Sequence, residues 1–276
     1  MSTTVVSLIS MGTMGALFAL GLAVASKKFA VETDPRVDEI EEVLPGVNCG
    51  ACGFAGCRSF AEGVASGKAP TNGCPVGGAR VAKLVAEILG VEDQGSAGRK
   101  VAQVLCKGGH EEAKRRGDYM GPQDCRIANA VQGGDKGCSY GCLGYGTCAS
   151  VCPFDAIVMN ENGLPVVLED KCTACGKCVA ACPRDIIVLV DEVQGVHIRC
   201  RSEELGRAVR SVCSVGCIAC RRCEKACPTG AITVEDNLAR IDYDKCINCR
   251  KCVEVCPMNT IEAQEGKPVI KKKSAS

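Results

Sequence analysis

The chain carries 24 cysteines in 276 residues, and half of them stand in Cys-x-x-Cys-x-x-Cys-x-x-x-Cys-Pro runs. The clearest run begins at Cys172 and ends at Pro183, and another begins at Cys246 and ends at Pro257. In this spacing three thiolates bind one [4Fe–4S] cluster, and the fourth binds the neighbouring cluster of a pair. Thiolates are the soft ligands that iron–sulfur clusters require. The runs therefore predict an electron carrier that folds around its clusters.

Two other uses of cysteine fit the pattern less well. The disulfide frameworks of secreted domains do not need cysteine triplets followed by proline. A zinc site needs two Cys-x-x-Cys pairs, not four cysteines in one short run. Aromatic residues make up only 3% of the chain, so we expect the clusters to supply cohesion that a hydrocarbon core would otherwise provide. The apo chain is accordingly expected to be largely unstructured.

The N-terminal segment predicts a membrane anchor. Residues 4–25 carry no charged side chain, and Lys27 and Lys28 follow them. This length is sufficient for one transmembrane helix. A cleaved signal peptide is less consistent, because no basic segment precedes the apolar stretch and the stretch is longer than a usual signal core. By the positive-inside rule, the two lysines predict that the C-terminal body lies in the cytoplasm.

The first cysteine group has a different spacing, which is typical of four ligands for a single cluster. It consists of Cys49, Cys52, Cys57 and Cys74. An acidic stretch, residues 32–42, precedes the group and is expected to link the anchor to a short helix. A second helix is predicted over residues 79–89, ending at Gly90, and residues 91–100 are typical of an exposed linker.

The remainder of the chain is an internal repeat. One constant shift places Cys125, Cys138, Cys142, Cys148 and Cys152 on Cys200, Cys213, Cys217, Cys223 and Cys227. A second shift, shorter by one position, places the Cys172 run on the Cys246 run. Each copy is therefore predicted to be a two-cluster ferredoxin. Its short strands are expected at residues 156–159 and 166–169 in the first copy, and at residues 232–235 and 239–242 in the second.

The ferredoxin pattern assigns three clusters of the repeats completely. Their ligands are Cys217, Cys220 and Cys223 with Cys256, then Cys246, Cys249 and Cys252 with Cys227, and finally Cys172, Cys175 and Cys178 with Cys152. The remaining cluster should use Cys142, position 145, Cys148 and Cys182, but position 145 is Tyr145. Either one ligand comes from elsewhere, or only three cysteines hold this cluster.

Five cysteines are left after this assignment: Cys106, Cys125, Cys138, Cys200 and Cys213. In one partition Cys106, which has no mate in the repeat, compensates for Tyr145, and the other four share a sixth cluster across a pseudo-two-fold axis. In a second partition Cys138 joins Cys142 and Cys148, and the other four hold the sixth cluster. In a third reading the extra cysteines are free, buried thiols. Every reading predicts at least five [4Fe–4S] clusters, and six are favoured because 24 candidate ligands divide into six fours.

The predicted fold class is α+β, with an N-terminal transmembrane helix, a small single-cluster domain and tandem bacterial-type two-cluster ferredoxin modules. The expected division places the anchor at residues 1–28 and the single-cluster domain at residues 29–90. A linker and the start of the polyferredoxin follow at residues 91–124. The two ferredoxin repeats are expected at residues 125–195 and, with a basic tail, at residues 196–276.

These features together resemble the B subunits of Rnf complexes, the membrane-bound ferredoxin:NAD⁺ oxidoreductases that couple electron transfer to ion pumping. The resemblance covers almost the whole chain. Its motifs are Asn48-Cys49-Gly-Ala-Cys52-Gly with Cys57 and Cys74, and the stretch from Cys138 to Cys148. It implies that the chain accepts electrons from soluble reduced ferredoxin and passes them to other membrane subunits. The implied partners are ferredoxin, those subunits and, through residues 4–25, the membrane, with no nucleic acid among them.

The sequence independently favours a relay. No Gly-x-Gly-x-x-Gly motif follows a strand, so a nucleotide site is not predicted on this chain. His110 and His197 lack an evident catalytic partner, and no catalytic residue is predicted. The basic groups that are candidates for docking an acidic donor are residues 114–116, Arg199, Arg201, Arg207, Arg210, Arg221, Arg222 and residues 271–273. Two alternative functions are a membrane-tethered donor to a separate redox enzyme or sensor without ion pumping, and a storage or scaffold protein.

Overall fold

The computed structural model describes residues 3–28, 34–92 and 98–270. Helix α1 spans Thr3–Lys28 and has Lys27 and Lys28 in its last turn. Its part from Val5 to Lys28 is long and apolar enough to cross a membrane, and its most apolar stretch is not buried against the rest of the chain. The apolar helix predicted over residues 4–25 is therefore confirmed, and the structure extends it through the two lysines.

The three-helix domain (residues 34–92) follows the membrane helix. Its helices are α2 Pro35–Val43, α3 Cys57–Ala65 and α4 Gly78–Leu89. Each helix contributes one completely or almost completely buried side chain to a shared core, namely Ile40, Phe60 and Val85. As predicted, α4 ends before Gly90, which adopts a left-handed backbone with φ of 66° and closes the helix.

The rest of the described chain forms two ferredoxin repeats made of short strands and short helices. The elements of the first repeat are β1 Lys100–Val104, α5 Cys125–Ala130, α6 Thr147–Ser150, β2 Ile157–Met159, β3 Pro165–Val167, α7 Lys177–Ala181 and β4 Ile187–Asp191. The elements of the second are β5 Val196–Ile198, α8 Gly206–Val212, α9 Arg222–Ala226, β6 Ile232–Glu235, β7 Leu238–Ile241, α10 Lys251–Glu254 and β8 Ile261–Ala263. The mixture of helices and strands confirms the α+β class.

The strands pair in four antiparallel ribbons, and the pairing is the same in the two repeats. The inner hairpins β2–β3 and β6–β7 overlap the strands predicted from the sequence. The outer ribbons β1–β4 and β5–β8 join the beginning of each repeat to its end. Strand β1 lies in the stretch expected to hold a linker and the start of the polyferredoxin, so this stretch contributes to the sheet of the first repeat.

The register of the outer ribbons corrects one expectation about the repeat. Val104 pairs with Ile187, and Ile198 pairs with Ile261. Ile187 and Ile261 are equivalent under the shift that relates the Cys172 and Cys246 runs, so Val104 and Ile198 are equivalent as well. Cys106 and Cys200, each two positions further on, therefore occupy matching places. The expectation that Cys106 lacks a mate was wrong, because the sequence comparison matched Cys125 to Cys200 instead.

An insertion explains the mismatch. Cys106 and Cys138 are more than twice as far apart in the sequence as their counterparts Cys200 and Cys213. The first repeat therefore carries extra chain between its first strand and Cys138. Helix α5, which begins at Cys125, lies in this extra chain. A single fixed shift cannot align both sides of such an insertion.

Candidate metal centres

Two cysteine quartets predicted from the sequence line separate cavities. Site 1, in the three-helix domain, is lined by Cys49, Cys52, Cys57 and Cys74. Site 5, in the second repeat, is lined by Cys217, Cys220, Cys223 and Cys256. In site 1 the loop between the ligands is fixed by Asn48, whose Oδ1 accepts a hydrogen bond from the backbone N–H of Cys57 at 2.8 Å. The amide of Gly77 donates to Sγ of Cys74 at 3.4 Å, as expected for a sulfur that binds metal.

Two further cavities show how the five remaining cysteines are divided. Site 3 is lined by Cys125, Cys142, Cys148 and Cys182. Site 4 is lined by Cys106, Cys138, Cys200 and Cys213. Both partitions made from the sequence were wrong, since Cys125 and not Cys106 or Cys138 completes the site that lacks a cysteine at position 145. Site 4 takes two cysteines from each repeat and lies at the junction between them.

The placement of Cys125 follows from the insertion. Helix α5 is capped by Asp124, and the backbone N–H of Cys125 donates to Oγ1 of Thr147 at 2.6 Å, beside Cys148. Tyr145 packs against Tyr119 of the inserted chain, with ring centroids 5.2 Å apart. The inserted segment thus covers the face where the motif cysteine would stand and supplies a cysteine in its place.

Sites 2 and 6 are the quartets that the ferredoxin pattern predicts for the second cluster position of each repeat. The predicted ligands of site 2 are Cys152, Cys172, Cys175 and Cys178, and those of site 6 are Cys227, Cys246, Cys249 and Cys252. The charges of Cys152 and Cys172 act on the Cys175 thiol, and those of Cys246 and Cys249 act on Cys252. Cys152 and Cys227 accept equivalent backbone N–H groups, from Ala156 at 3.4 Å and Ala231 at 3.3 Å. The assignment of Cys227 to site 6 stays a prediction based on this equivalence.

The thiols of the quartets are buried enough to need a bound cationic group before they ionise together. Burial, followed by the charges of neighbouring cysteines, raises the pKa of Cys148 to about 11 and that of Cys178 to about 12. Burial likewise raises the pKa of Cys200 to about 12. Such thiols do not ionise together unless a cation joins them. The four cavities have volumes of 330 to 370 Å³, and no group of described His, Cys, Asp or Glu side chains converges on one metal ion.

Site 4 is lined by more positively charged side chains than sites 1, 3 and 5. Besides its four cysteines it is lined by Lys136, Arg199 and Arg201, and none of the described residues around it is a carboxylate. The linings of sites 3 and 5 contain one cation each, Arg184 and Arg221, and that of site 1 contains none. A cavity with three cations and four thiols fits an anionic group, and an oxidised [4Fe–4S] cluster with four thiolates carries a charge of about −2.

Ligands of neighbouring sites lie close enough to interact, through charge or through a hydrogen bond. The charge of Cys49 in site 1 acts on Cys175 in site 2, and that of Cys148 in site 3 acts on Cys178 in site 2. The backbone N–H of Cys142 in site 3 donates to Sγ of Cys106 in site 4 at 3.4 Å. The first four sites therefore follow one another from the three-helix domain to the junction between the repeats.

Interactions of the same two kinds continue into the second repeat. The backbone of Cys217 in site 5 hydrogen-bonds the sulfur of Cys200 in site 4, and the charge of Cys223 in site 5 acts on Cys252 in site 6. The two bonds around site 4 are equivalent, because Cys142 matches Cys217 in the repeat and Cys106 matches Cys200. Site 4 is thus linked in the same way to the repeat on either side.

Several basic groups singled out in the sequence already have partners within the protein. Arg115 pairs with Asp135 at 2.8 Å, and Arg199 pairs with Glu262 at 3.2 Å and donates to the carbonyl of Val104 at 2.7 Å. Residues 271–273 lie outside the described chain. The buried Lys136 was not predicted, since a lone lysine two positions before Cys138 has no distinguishing sequence signal.

The histidines also have structural surroundings. His197 is fully buried, and its Nδ1 lies 2.8 Å from the hydroxyl of Tyr243. Burial, together with the positive charge of Arg199, lowers the pKa of His197 to about 4. The imidazole is therefore neutral at physiological pH. It joins the second repeat's outer ribbon to the chain before Cys246.

Three family models match four stretches of the chain. Residues 44–76, around site 1, match the family described as "Putative Fe-S cluster". Residues 138–187 match one 4Fe-4S dicluster domain family, and residues 171–231 and 216–260 match another. These matches cover the predicted ferredoxin motifs. Cys106 and Cys125 lie outside all of them.

Curated proteins resemble the chain over most of its length. The B subunit of the Na⁺-translocating ferredoxin:NAD⁺ oxidoreductase complex of Acetobacterium woodii is 52% identical over 85% of this chain and 70% of the relative. The B subunit of the ion-translocating oxidoreductase complex of Methanosarcina acetivorans is 44% identical over 83% and 87%. The B subunit of the proton-translocating ferredoxin:NAD⁺ oxidoreductase complex of Clostridium ljungdahlii is 46% identical over 88% and 85%.

Proposed function

The chain belongs to the family of B subunits of Rnf-type ion-translocating oxidoreductase complexes, and from this premise we propose that it takes electrons from reduced ferredoxin and relays them through six [4Fe–4S] clusters to membrane subunits. Family membership makes it an electron-transfer subunit of such a complex. The observation that carries the finer proposal is the series of electrostatic interactions and hydrogen bonds that links the ligands of successive sites from site 1 to site 6. Each bound cluster would supply one-electron redox chemistry.

The second repeat is the better entry point for an acidic donor. Cys220 is the only exposed one of the 24 cysteines, all of which lie in the described ranges. Arg221 and Arg222 follow it, and both are exposed. In site 6 Cys249 is followed by Arg250 and Lys251 in the same way. Cations beside an accessible cluster ligand attract an acidic partner and speed its association.

Two of these basic residues stand at backbone positions where glycine would be less strained. Arg221 and Arg250 adopt left-handed conformations with φ of 58° and 64°, where the first repeat has Gly146 and Gly176. An L-residue in this region carries strain of order 1 kcal/mol, which glycine avoids. Part of the strain is offset by hydrogen bonds, such as that from Arg221 to the carbonyl of Val234 at 2.9 Å. The second repeat thus keeps positive charge at both sites despite this cost.

The three-helix domain presents acidic side chains, in contrast to the basic side chains beside sites 5 and 6. Helix α2 carries Asp38, Glu39, Glu41 and Glu42, and only Arg58 pairs with this group among the described ion pairs. An acidic donor would be repelled from this end of the relay. Site 1 is also the site next to the membrane helix in sequence. We therefore infer that electrons leave through site 1. By the positive-inside rule, Lys27 and Lys28 support a body on the cytoplasmic side.

The first test is anaerobic measurement of iron and acid-labile sulfide per chain, followed by stopped-flow mixing with reduced ferredoxin. Six clusters correspond to about 24 iron and 24 sulfide. Rapid oxidation of ferredoxin by the full chain is expected, and a chain that carries six clusters but does not oxidise ferredoxin would refute the donor assignment. Sodium- or proton-dependent NAD⁺ reduction after co-purification with membrane subunits would separate a pumping complex from a tethered donor to another enzyme.

The entry point has its own test, made with a matched pair of double variants. Arg222→Glu with Lys251→Glu reverses two charges beside sites 5 and 6, and we expect the second-order rate with ferredoxin at low salt to fall by about tenfold or more. Lys68→Glu with Arg80→Glu makes the same change of net charge in the three-helix domain and should leave the rate within about twofold. Equal losses in the two variants would place the entry elsewhere.

A further inference from the structure

Lys136 places a buried positive charge between sites 3 and 4. The residue is only 8% exposed. Its Nζ donates to the carbonyl oxygen of Cys142, a ligand of site 3, at 2.6 Å. It also donates to the carbonyl oxygen of Gly108, which lies beside site 4. The ammonium therefore contacts the backbone of both sites.

The surroundings of Gly108 bring this charge close to the sulfurs of site 4. A methyl group added to Gly108 would lie 3.0 Å from Sγ of Cys213. The alkyl chain of Lys136 passes equally close to the ligand loop, since a methyl group on Gly141 would lie 3.2 Å from its Cδ and 3.4 Å from Cβ of Cys138. Lys136 thus lies against the ligands of both sites.

No carboxylate neutralises this ammonium in the part of the chain that the structure describes. The neighbouring Asp135 pairs with Arg115 at 2.8 Å, and the partners of Lys136 are carbonyl groups. An unpaired buried charge is costly, because the protein interior solvates it poorly. The remaining sources of negative charge are the groups that sites 3 and 4 would hold, and Lys136 lines the cavity of site 4 but not that of site 3.

We propose that Lys136 sets the reduction potential of site 4, so that the junction between the two repeats holds an electron more readily than the sites on either side. The inference rests on the proposed six-cluster relay. Reduction adds a negative charge to an already anionic cluster, and a nearby fixed cation stabilises the reduced state more than the oxidised one. Lys136 is a positioning residue for charge and does not itself accept an electron.

The cations that line the other sites support a higher reduction potential at site 4 than at its neighbours, sites 3 and 5. Arg184 is the one cation that lines site 3, and Arg221 in site 5 pairs with Glu224 at 3.0 Å. Site 4 has three cations, of which Arg199 pairs with Glu262. An electron that enters the second repeat is therefore drawn to the junction before it passes to the first repeat.

The test is an EPR-monitored redox titration of the full chain and of Lys136→Met, which keeps the length of the side chain and removes the charge. We expect one titration component to become about tenfold harder to reduce, a shift of about 59 mV for one electron. The component is identified as site 4 by its loss in Cys213→Ser. Lys114→Met, which neutralises an exposed lysine on the neighbouring segment, is the control and should titrate like the parent chain.

Two further variants guard against failure of cluster assembly. Lys136→Arg keeps the charge and should keep the reduction potential of the parent chain. Lys136→Gln keeps a donor for the carbonyl groups, and its reduction potential should shift like that of Lys136→Met.

A parent chain that binds about 20 iron would refute site 4 itself, and with it the role of Lys136. Six clusters with unshifted potentials in both neutral variants would refute the role of Lys136 alone. Loss of four iron in both neutral variants but not in Lys136→Arg would assign Lys136 to holding the cluster, and would overturn its role in setting the potential.

Discussion

The backbone N–H of Cys142 donates a hydrogen bond to Sγ of Cys106 at 3.4 Å, which joins a ligand of site 3 to a ligand of site 4. Cys217 and Cys200 make the equivalent bond on the other side of the junction. A cysteine that was expected to have no mate therefore occupies a central position. The division of ligands that follows from this bond can be checked by counting iron.

A variant that lacks two ligands of the same site should lose no more iron than a variant that lacks one. We expect Cys106→Ala and Cys213→Ala each to lower the iron content by about four per chain, and the double variant to lose about four as well. Cys106→Ala combined with Cys125→Ala should lose about eight, since these cysteines serve different sites. Anaerobic iron and sulfide analysis checks this. A loss of about eight from Cys106→Ala with Cys213→Ala would contradict the shared site.

The role of Cys125 can be tested by moving the ligand. Cys125→Ala should lose about four iron, and adding Tyr145→Cys should restore them, because position 145 corresponds to Cys220 in the second repeat. Tyr145→Cys alone should leave the iron content unchanged. If the double variant stays four iron short although Cys125→Ala has lost them, the backbone at position 145 does not present a ligand to site 3.

Glu169 stabilises the contact between the repeats. Its carboxylate accepts hydrogen bonds from Gln103 and Gln264, both at 2.8 Å, and from Lys267 at 2.7 Å. Hydrogen bonds to a charged group are worth about 1.5 to 3 kcal/mol. We expect Glu169→Gln to lower the midpoint of anaerobic thermal unfolding by roughly 5 °C. Glu161→Gln, at an exposed position, is the control and should change it by less than about 1 °C.

The same carboxylate predicts a pH dependence. Burial raises the pKa of Glu169, but the hydrogen bonds from Lys267 and Gln264 outweigh it and leave the pKa below its usual range. A depressed pKa stabilises the folded state fully above the unfolded pKa of about 4.3, and this stabilisation is lost as the pH falls through the folded value. The difference between the parent chain and Glu169→Gln should therefore be constant from pH 8 to pH 5 and shrink below about pH 4. A difference that already shrinks between pH 7 and pH 5 would contradict the depressed pKa.

The membrane helix should be dispensable for cluster binding. Helix α1 buries none of its most apolar stretch against the described chain, and the proposed cluster ligands lie in residues 49–256. A variant that lacks residues 1–33 is expected to remain in the supernatant after ultracentrifugation with an unchanged iron content. The full chain should sediment with membranes. Loss of iron from the truncated variant would show that the helix supports the three-helix domain.

Local spacing was sufficient to predict part of this arrangement. Sites 1 and 5 group as the motifs predict, because most of their ligands lie on short loops whose geometry is set by the spacing itself. The helix ending at Gly90 and the inner hairpins were also predictable, since each is built from contiguous residues. These features depend on neighbours in the sequence.

The partition of Cys106 and Cys125 could not be derived in this way. It depends on strands β1 and β4, whose pairing spans most of the first repeat, and on an inserted segment that breaks the repeat shift. The weak likeness of Val104-Leu105-Cys106 to Ile198-Arg199-Cys200 was the available signal, and it appears at a longer shift than the one that relates the other cysteines. The charge at Lys136 had no signal at all, because its burial is a property of the packed junction.

The inserted segment also constrains how such a chain can arise from a duplicated module. Cys125 is useful only when position 145 lacks a cysteine, and Tyr145 is tolerable only when Cys125 is present. If site 3 is to keep at least four thiolates throughout, the insertion has to be gained first. The motif cysteine can be lost only afterwards. An intermediate with both Cys125 and a cysteine at position 145 would hold five thiols around one site, and this redundancy would permit the exchange to Tyr145. A module without the insertion has no additional cysteine, so replacing any one of its motif cysteines would leave a site with three thiolates.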